Sequence, residues 1–140
     1  MADLLVVDDD RDLAAALTDV LVDAGHTVRV AENGWAGVAA LNERLPDLVL
    51  LDIEMPSLDG PGMANQMFVR DAGRERIPIL LVSAFADLPG VARRIGTPYS
   101  APKPCELGKL LDLVDRALRE RIPPTFPSAL GASPSAVGTP

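Results

Sequence analysis

Four places in the sequence carry side chains that could do chemistry together: Asp8-Asp9-Asp10, Asp52, Ser83 and Lys103. Asp52 stands out, because it ends the apolar run Leu48-Val49-Leu50-Leu51 and precedes a proline loop, Met55-Pro56-Ser57-Leu58, and the turn signal Asp59-Gly60. A carboxylate so placed is a helix cap, a salt-bridge partner or a reactive group. Two carboxylates ~4 Å apart repel by about 4 kcal/mol at an effective dielectric near 20. Three or more on one edge therefore require protonation or a cation. Hard oxygen ligands favour Mg²⁺, which keeps several waters and takes one or two carboxylates plus a phosphate. A hydroxyl and an ammonium are natural ligands for phosphoryl oxygens. Together these groups read as a Mg²⁺ site at which a phosphoryl group meets Asp52 as nucleophile. Each has a plainer reading alone: Asp10 caps a helix, Lys103 is a solvated lysine and Ser83 a turn residue. Their joint placement favours the chemical one.

That placement depends on the elements. Apolar runs at 4–7, 27–31, 48–51 and 77–83, with a weaker one at 99–101, read as five strands. Helical spacing of Leu13, Leu17, Leu21 and Ala24 predicts the first helix, and others are expected over 34–44, 61–72, 88–95 and 106–121. In the last, Leu107, Leu110, Leu111, Val114 and Leu118 form the core face, and Asp112, Asp115, Arg116 and Arg119 the solvent face. Gly25 and Gly73 are expected as left-handed helix stops. Strands alternating with helices imply an α/β fold, a doubly wound parallel sheet covered on both faces. Sites in such sheets form at the carboxyl ends of the strands, where all four groups fall.

The bulk composition narrows the function. The chain has 140 residues, suiting one domain, and a formal net charge of −7, which disfavours nucleic acid and anionic membranes as partners. One cysteine, Cys105, permits no intrachain disulfide and fits a reducing compartment. No apolar run approaches the ~20 residues that span a bilayer, and the acidic start lacks a signal-peptide pattern, so a cytoplasmic protein is expected. Beyond Arg121 the chain is uncharged and rich in Pro, Ser, Ala and Gly. The expected division is a domain over 1–121 and a disordered tail over 122–140.

The ordered set "LLVVDDD", "LVLLDIEMPSLDG", "ILLVSA" and "PKP" resembles the response-regulator receiver domain of two-component phosphorelay signalling, over about residues 3–121. The resemblance implies a flavodoxin-like sheet of order 2-1-3-4-5, as in chemotaxis receivers. It implies Asp52 as phosphoacceptor and Asp8 and Asp9 as the acidic pair, with Asp9 on Mg²⁺ directly and Asp8 mainly through water. The Glu54 backbone carbonyl would complete the metal ligands, Ser83 would be the switch hydroxyl and Lys103 the phosphate-contacting lysine. The Lys103-Pro104 bond would be cis. A histidine kinase or phosphotransfer protein would be the donor and a downstream protein the target. The receiver would act alone and turn over nothing beyond its own aspartyl phosphate.

The sequence departs from that pattern near the fifth strand. The family carries an aromatic switch residue three positions before the lysine, where this chain has Ser100, with Tyr99 one residue earlier. Either the fifth strand is bulged or the aromatic is displaced. The stretch from Ser83 to Lys103 is also compact, so the fourth helix is expected to be short, and both changes fall on the face that many receivers use for dimerisation or output. Cys105 is expected as a buried inert thiol, His26 as a loop residue without a ligand role, and Trp35 as packed on its helix. Two other classes compete. An aspartyl-phosphate phosphohydrolase would need D-x-D after its first strand, whereas Asp52-Ile53-Glu54 follows the third and lacks the second Asp. A phosphorylation-independent interaction module would have no use for the full set of Asp8, Asp9, Asp52, Ser83 and Lys103.

Overall fold

The computed structural model describes residues 2–52 and 68–125. The described strands are β1 (Asp3–Val7), β2 (Thr27–Ala31), β3 (Leu48–Leu51), β4 (Ile79–Ser83) and β5 (Tyr99–Pro102). The helices are α1 (Arg11–Asp23), α2 (Gly34–Glu43), α3 (helical over 68–74), α4 (Leu88–Ile95) and α5 (Leu107–Glu120). The strands form one parallel sheet in the expected order, β2-β1-β3-β4-β5.

Strand periodicity builds two cores. Leu5, Val7, Val49, Leu51, Ile79 and Leu81 face one side, against Leu41 of α2, Phe68, Val69 and Ala72 of α3, and Leu88, Val91 and Ile95 of α4. Leu4, Val6, Leu48, Leu50, Leu80 and Val82 face the other, against Ala14, Leu17 and Leu21 of α1 and Leu110, Val114 and Ala117 of α5. Burying each large side chain contributes about 1.5–3 kcal/mol, so the central strands are fixed from both sides. In α5 the innermost set includes Ala117, while Leu107, expected in the core, is exposed.

Helix ends follow local chemistry. Asp10 caps α1 through Leu13 N–H (3.1 Å), Asn33 caps α2 through Ala36 N–H (2.8 Å) and Asp87 caps α4 through Gly90 N–H (3.2 Å). Gly25 (φ 101°) ends α1 as expected. Gly73 does not end α3: it lies within the helix, and Arg76 takes the left-handed conformation (φ 62°). Arg76 N–H donates to the Gly73 carbonyl and Ile77 N–H to the Ala72 carbonyl. That paired closure, with Ile77 buried beneath it, holds a non-glycine residue at positive φ. Residues 61–67 of the expected third helix lie outside the described residues.

β5 pairs with β4 in unbroken register, Leu80 with Tyr99 through Ser83 with Pro102, so it has no bulge. The two-residue period then puts Tyr99 and Ala101 on the α1/α5 face and Ser100 on the opposite one. Tyr99 is fully buried, and the Arg116 guanidinium, expected to face solvent, lies 5.4 Å from its ring centroid. Tyr99 cannot stand in for an aromatic at position 100. Trp35 is 49% exposed and does not pack as expected, and Cys105 is only half-buried. His26 accepts the Ala2 N–H at Nδ1 (3.2 Å), a structural contact. No helix among the described residues is long and apolar enough to cross a membrane.

Candidate functional site

The sheet ladder delivers the acids. Past the end of β1, Asp8 N–H still donates to the Ala31 carbonyl (3.0 Å), and past β3, Asp52 N–H donates to the Val7 carbonyl (2.9 Å). Both residues are thus held by backbone bonds that continue the sheet. The Asp8 carboxylate accepts Asp10 N–H (2.9 Å), which ties it to the start of α1. Carboxylate oxygens of Asp8, Asp9 and Asp52 all lie within 4.8 Å of one another. At that spacing each charged pair repels by about 3 kcal/mol at an effective dielectric near 20. Asp9 is exposed, whereas the side chains of Asp8 and Asp52 are 2% and 3% exposed.

Lys103 enters this cluster from the end of β5. Its N–H donates to the Ser83 carbonyl (2.9 Å), and the Lys103-Pro104 peptide bond is cis, as the resemblance implied. Its Nζ donates to Asp52 Oδ2 at 2.8 Å and to Asp8 Oδ2 at 3.4 Å. Burial by itself lowers the Lys103 pKa, but the hydrogen bond and charge of Asp52, with the charge of Asp8, raise it overall. The ammonium therefore stays charged and offsets part of the repulsion. Ser83 is fully buried at the end of β4, and its Oγ accepts Phe85 N–H (3.0 Å).

Asp8, Asp9, Asp52, Ser83 and Lys103 thus arrive at one edge, at the carboxyl ends of β1, β3, β4 and β5. Glu54, whose carbonyl was expected beside them, lies outside the described residues, as do Pro56 and Asp59-Gly60. The oxygen-only acidic donor set fits a hard divalent cation such as Mg²⁺. Sequence reasoning missed the role of Lys103 as counter-ion to two carboxylates. Nothing local signals it, since Asp8 is 95 residues away in the chain.

Residues 4–115 match the family model of the response regulator receiver domain. The chain is 35% identical over 115 residues to the DNA-binding transcriptional regulator NtrC of Salmonella typhimurium, covering 81% of this chain and 24% of that protein. It thus spans about a quarter of that relative's length. It is 34% identical over 140 residues to protein Rrf1 of Nitratidesulfovibrio vulgaris, covering 99% of this chain and 95% of that protein. The crystal structure of the receiver domain of NtrX from Brucella abortus superposes with a TM-score of 0.71 at 30% identity, covering 84% of this chain and 98% of that one.

Proposed function

Because the chain belongs to the response regulator receiver family, we propose that it is a phosphorylation switch in two-component signalling, with Asp52 as phosphoacceptor. The observation that carries this reading is the convergence of Lys103 Nζ, 2.8 Å from Asp52, with three carboxylates whose oxygens lie within 4.8 Å of one another. An Asp52 carboxylate oxygen attacks the phosphorus of a phosphohistidine on a histidine kinase or phosphotransfer protein. The O–P bond forms, the P–N bond breaks, and its electron pair leaves with the imidazole. Lys103 is placed to hold a phosphoryl oxygen as a point charge, and the Ser83 hydroxyl to donate to another. Asp8, Asp9 and Asp52, with the Glu54 carbonyl, would hold Mg²⁺. The ion, when bound, offsets the carboxylates and the incoming phosphoryl charge.

The hydrogen bond from Asp52 N–H to the Val7 carbonyl (2.9 Å) helps to orient the nucleophile. Output follows by contact with a downstream protein, in keeping with the net charge of −7. The test is intact mass after incubation with a small acyl phosphate, with Mg²⁺ or with EDTA, repeated on Asp52→Ala. One phosphoryl increment is expected, in the wild type with Mg²⁺ only. Undiminished labelling of Asp52→Ala would overturn the assignment.

A further inference from the structure

The chain beyond α5 returns to the sheet. Arg121 takes a left-handed conformation (φ 54°) and turns off the helix axis, and Pro123 and Pro124 cannot continue a helix. Ile122 N–H donates to the Tyr99 hydroxyl (3.3 Å), which itself donates to Glu120 Oε1 (3.0 Å). Pro124 is buried, and Thr125 N–H donates to the carbonyl of Ile95 (3.0 Å), the last residue of α4. The chain passes so close to the turn after α4 that a Cβ on Gly96 would collide with Thr125. The packed chain therefore runs four residues past the boundary expected at Arg121, and residues 126–140 lie outside the described residues.

This segment makes α4 a rod held at both ends. At its start, Ser83 Oγ accepts Phe85 N–H (3.0 Å), and the Phe85 carbonyl accepts Leu88 N–H (3.2 Å). At its end stands the Thr125 contact. Between them lie the eight residues of α4, about 12 Å of helix at 1.5 Å per residue. A helix that short moves as a body. A Ser83 hydroxyl that rotates to donate to a group on Asp52 carries its acceptor lone pairs away from Phe85 N–H.

We propose that residues 121–125 are a strap linking the state of Asp52 to the C-terminal segment: a phosphoryl group that draws Ser83 inward shifts α4 and opens the Thr125–Ile95 contact. The proposal rests on the phosphoacceptor reading above. Linkage makes it reciprocal, so a closed strap opposes the phosphorylated form and its removal favours that form by the same factor.

The probe is beryllofluoride with Mg²⁺, an equilibrium mimic of a phosphoryl group on a carboxylate. Amide exchange at Ile122 and Thr125 is read in the full chain, and mimic affinity is read by calorimetry in the full chain and two truncations. With the mimic bound, both amides are expected to exchange about fivefold faster, the lower end of ordinary coupling between linked sites. Truncation after Arg121, which removes strap residues 122–125, is expected to tighten mimic binding by a similar factor. Truncation after Thr125, which keeps it, is expected to match the full chain. Full-length Tyr99→Phe, which frees Ile122 N–H without deleting residues, is expected to tighten binding in the same direction and serves if the shorter truncation does not fold. Mimic binding with unchanged exchange, or with equal affinity in the strapless and strapped forms, overturns the strap alone. Full-length chain that binds no mimic overturns the phosphoacceptor reading and the strap with it.

Discussion

β1 carries an aspartate at each end, and the two sit in opposite surroundings. Asp3 opens the strand beside three guanidiniums and one further carboxylate. Arg44 Nε donates to Asp3 Oδ2 (2.6 Å), Arg29 Nε lies 3.7 Å from Oδ1, and Arg121 reaches Asp47 at 3.4 Å. Asp47 and Asp3 are also joined by two hydrogen bonds, Asp3 N–H to the Asp47 carboxylate Oδ2 (2.8 Å) and Asp47 N–H to the Asp3 carbonyl (2.6 Å). Asp8 closes the strand among Asp9, Asp52 and the ammonium of Lys103. Among the described residues, one cluster has more cations than acids and is partly wet, whereas the other sets one ammonium against three carboxylates and encloses two of them. A balanced cluster holds elements together. An unbalanced, buried one stores repulsion that protonation or an added cation relieves.

The contrast breaks first at Lys103. Replacing it in Lys103→Ala removes the ammonium shared by two buried carboxylates, and breaking such a buried arrangement costs about 3 kcal/mol or more. Denaturant unfolding without divalent cation should show that loss, and Mg²⁺ should recover part of it. A loss below about 1 kcal/mol would mean that the site edge is no more strained than the opposite one. Asp3→Asn should cost only about 1 kcal/mol, since its partners are partly solvated. The loss should shrink at high salt and be indifferent to Mg²⁺.

A smaller effect is expected in alkali. The folded-state pKa values of Lys103 and Tyr99 are both raised. For Tyr99 the main cause is burial, with the Glu120 carboxylate adding to it against the Ile122 N–H. A raised value means stability that is fully present below the ordinary value, about 10 for both groups, and lost as pH rises through the folded one. Stability should fall from about pH 10 upward, and Tyr99→Phe should flatten that fall. An unchanged slope would remove Tyr99 from the account.

The carboxyl end of the sheet was the legible one. Asp8, Asp52, Ser83 and Lys103 each follow a short apolar run, so strand periodicity places them together, and the helix pattern supplies parallel topology. The Asp3 network was not legible, because its bonds join residues 41 and 44 positions apart and nothing local marks an arginine as a partner. Gly73 misled because its composition fits a stop, whereas the hydrogen bonds of Arg76 and Ile77 fix the real one. β5 has only four residues, too few for its own alternation to show which face Tyr99 takes; register with β4 decides that. The turn at Arg121 and the return of Pro124 depend on contacts with Tyr99 and α4 that composition cannot reveal.

The central claim is that the charge deficit at the Asp8–Asp52 edge is a cation site, and thermal unfolding with and without Mg²⁺ tests it most directly. At ~100 times its dissociation constant, Mg²⁺ should stabilise the wild type by about 2.7 kcal/mol. The same gain is expected in Asp3→Asn, and a much smaller one in Asp52→Asn. A wild-type melting temperature indifferent to Mg²⁺, or an equal response in Asp52→Asn, would contradict the account.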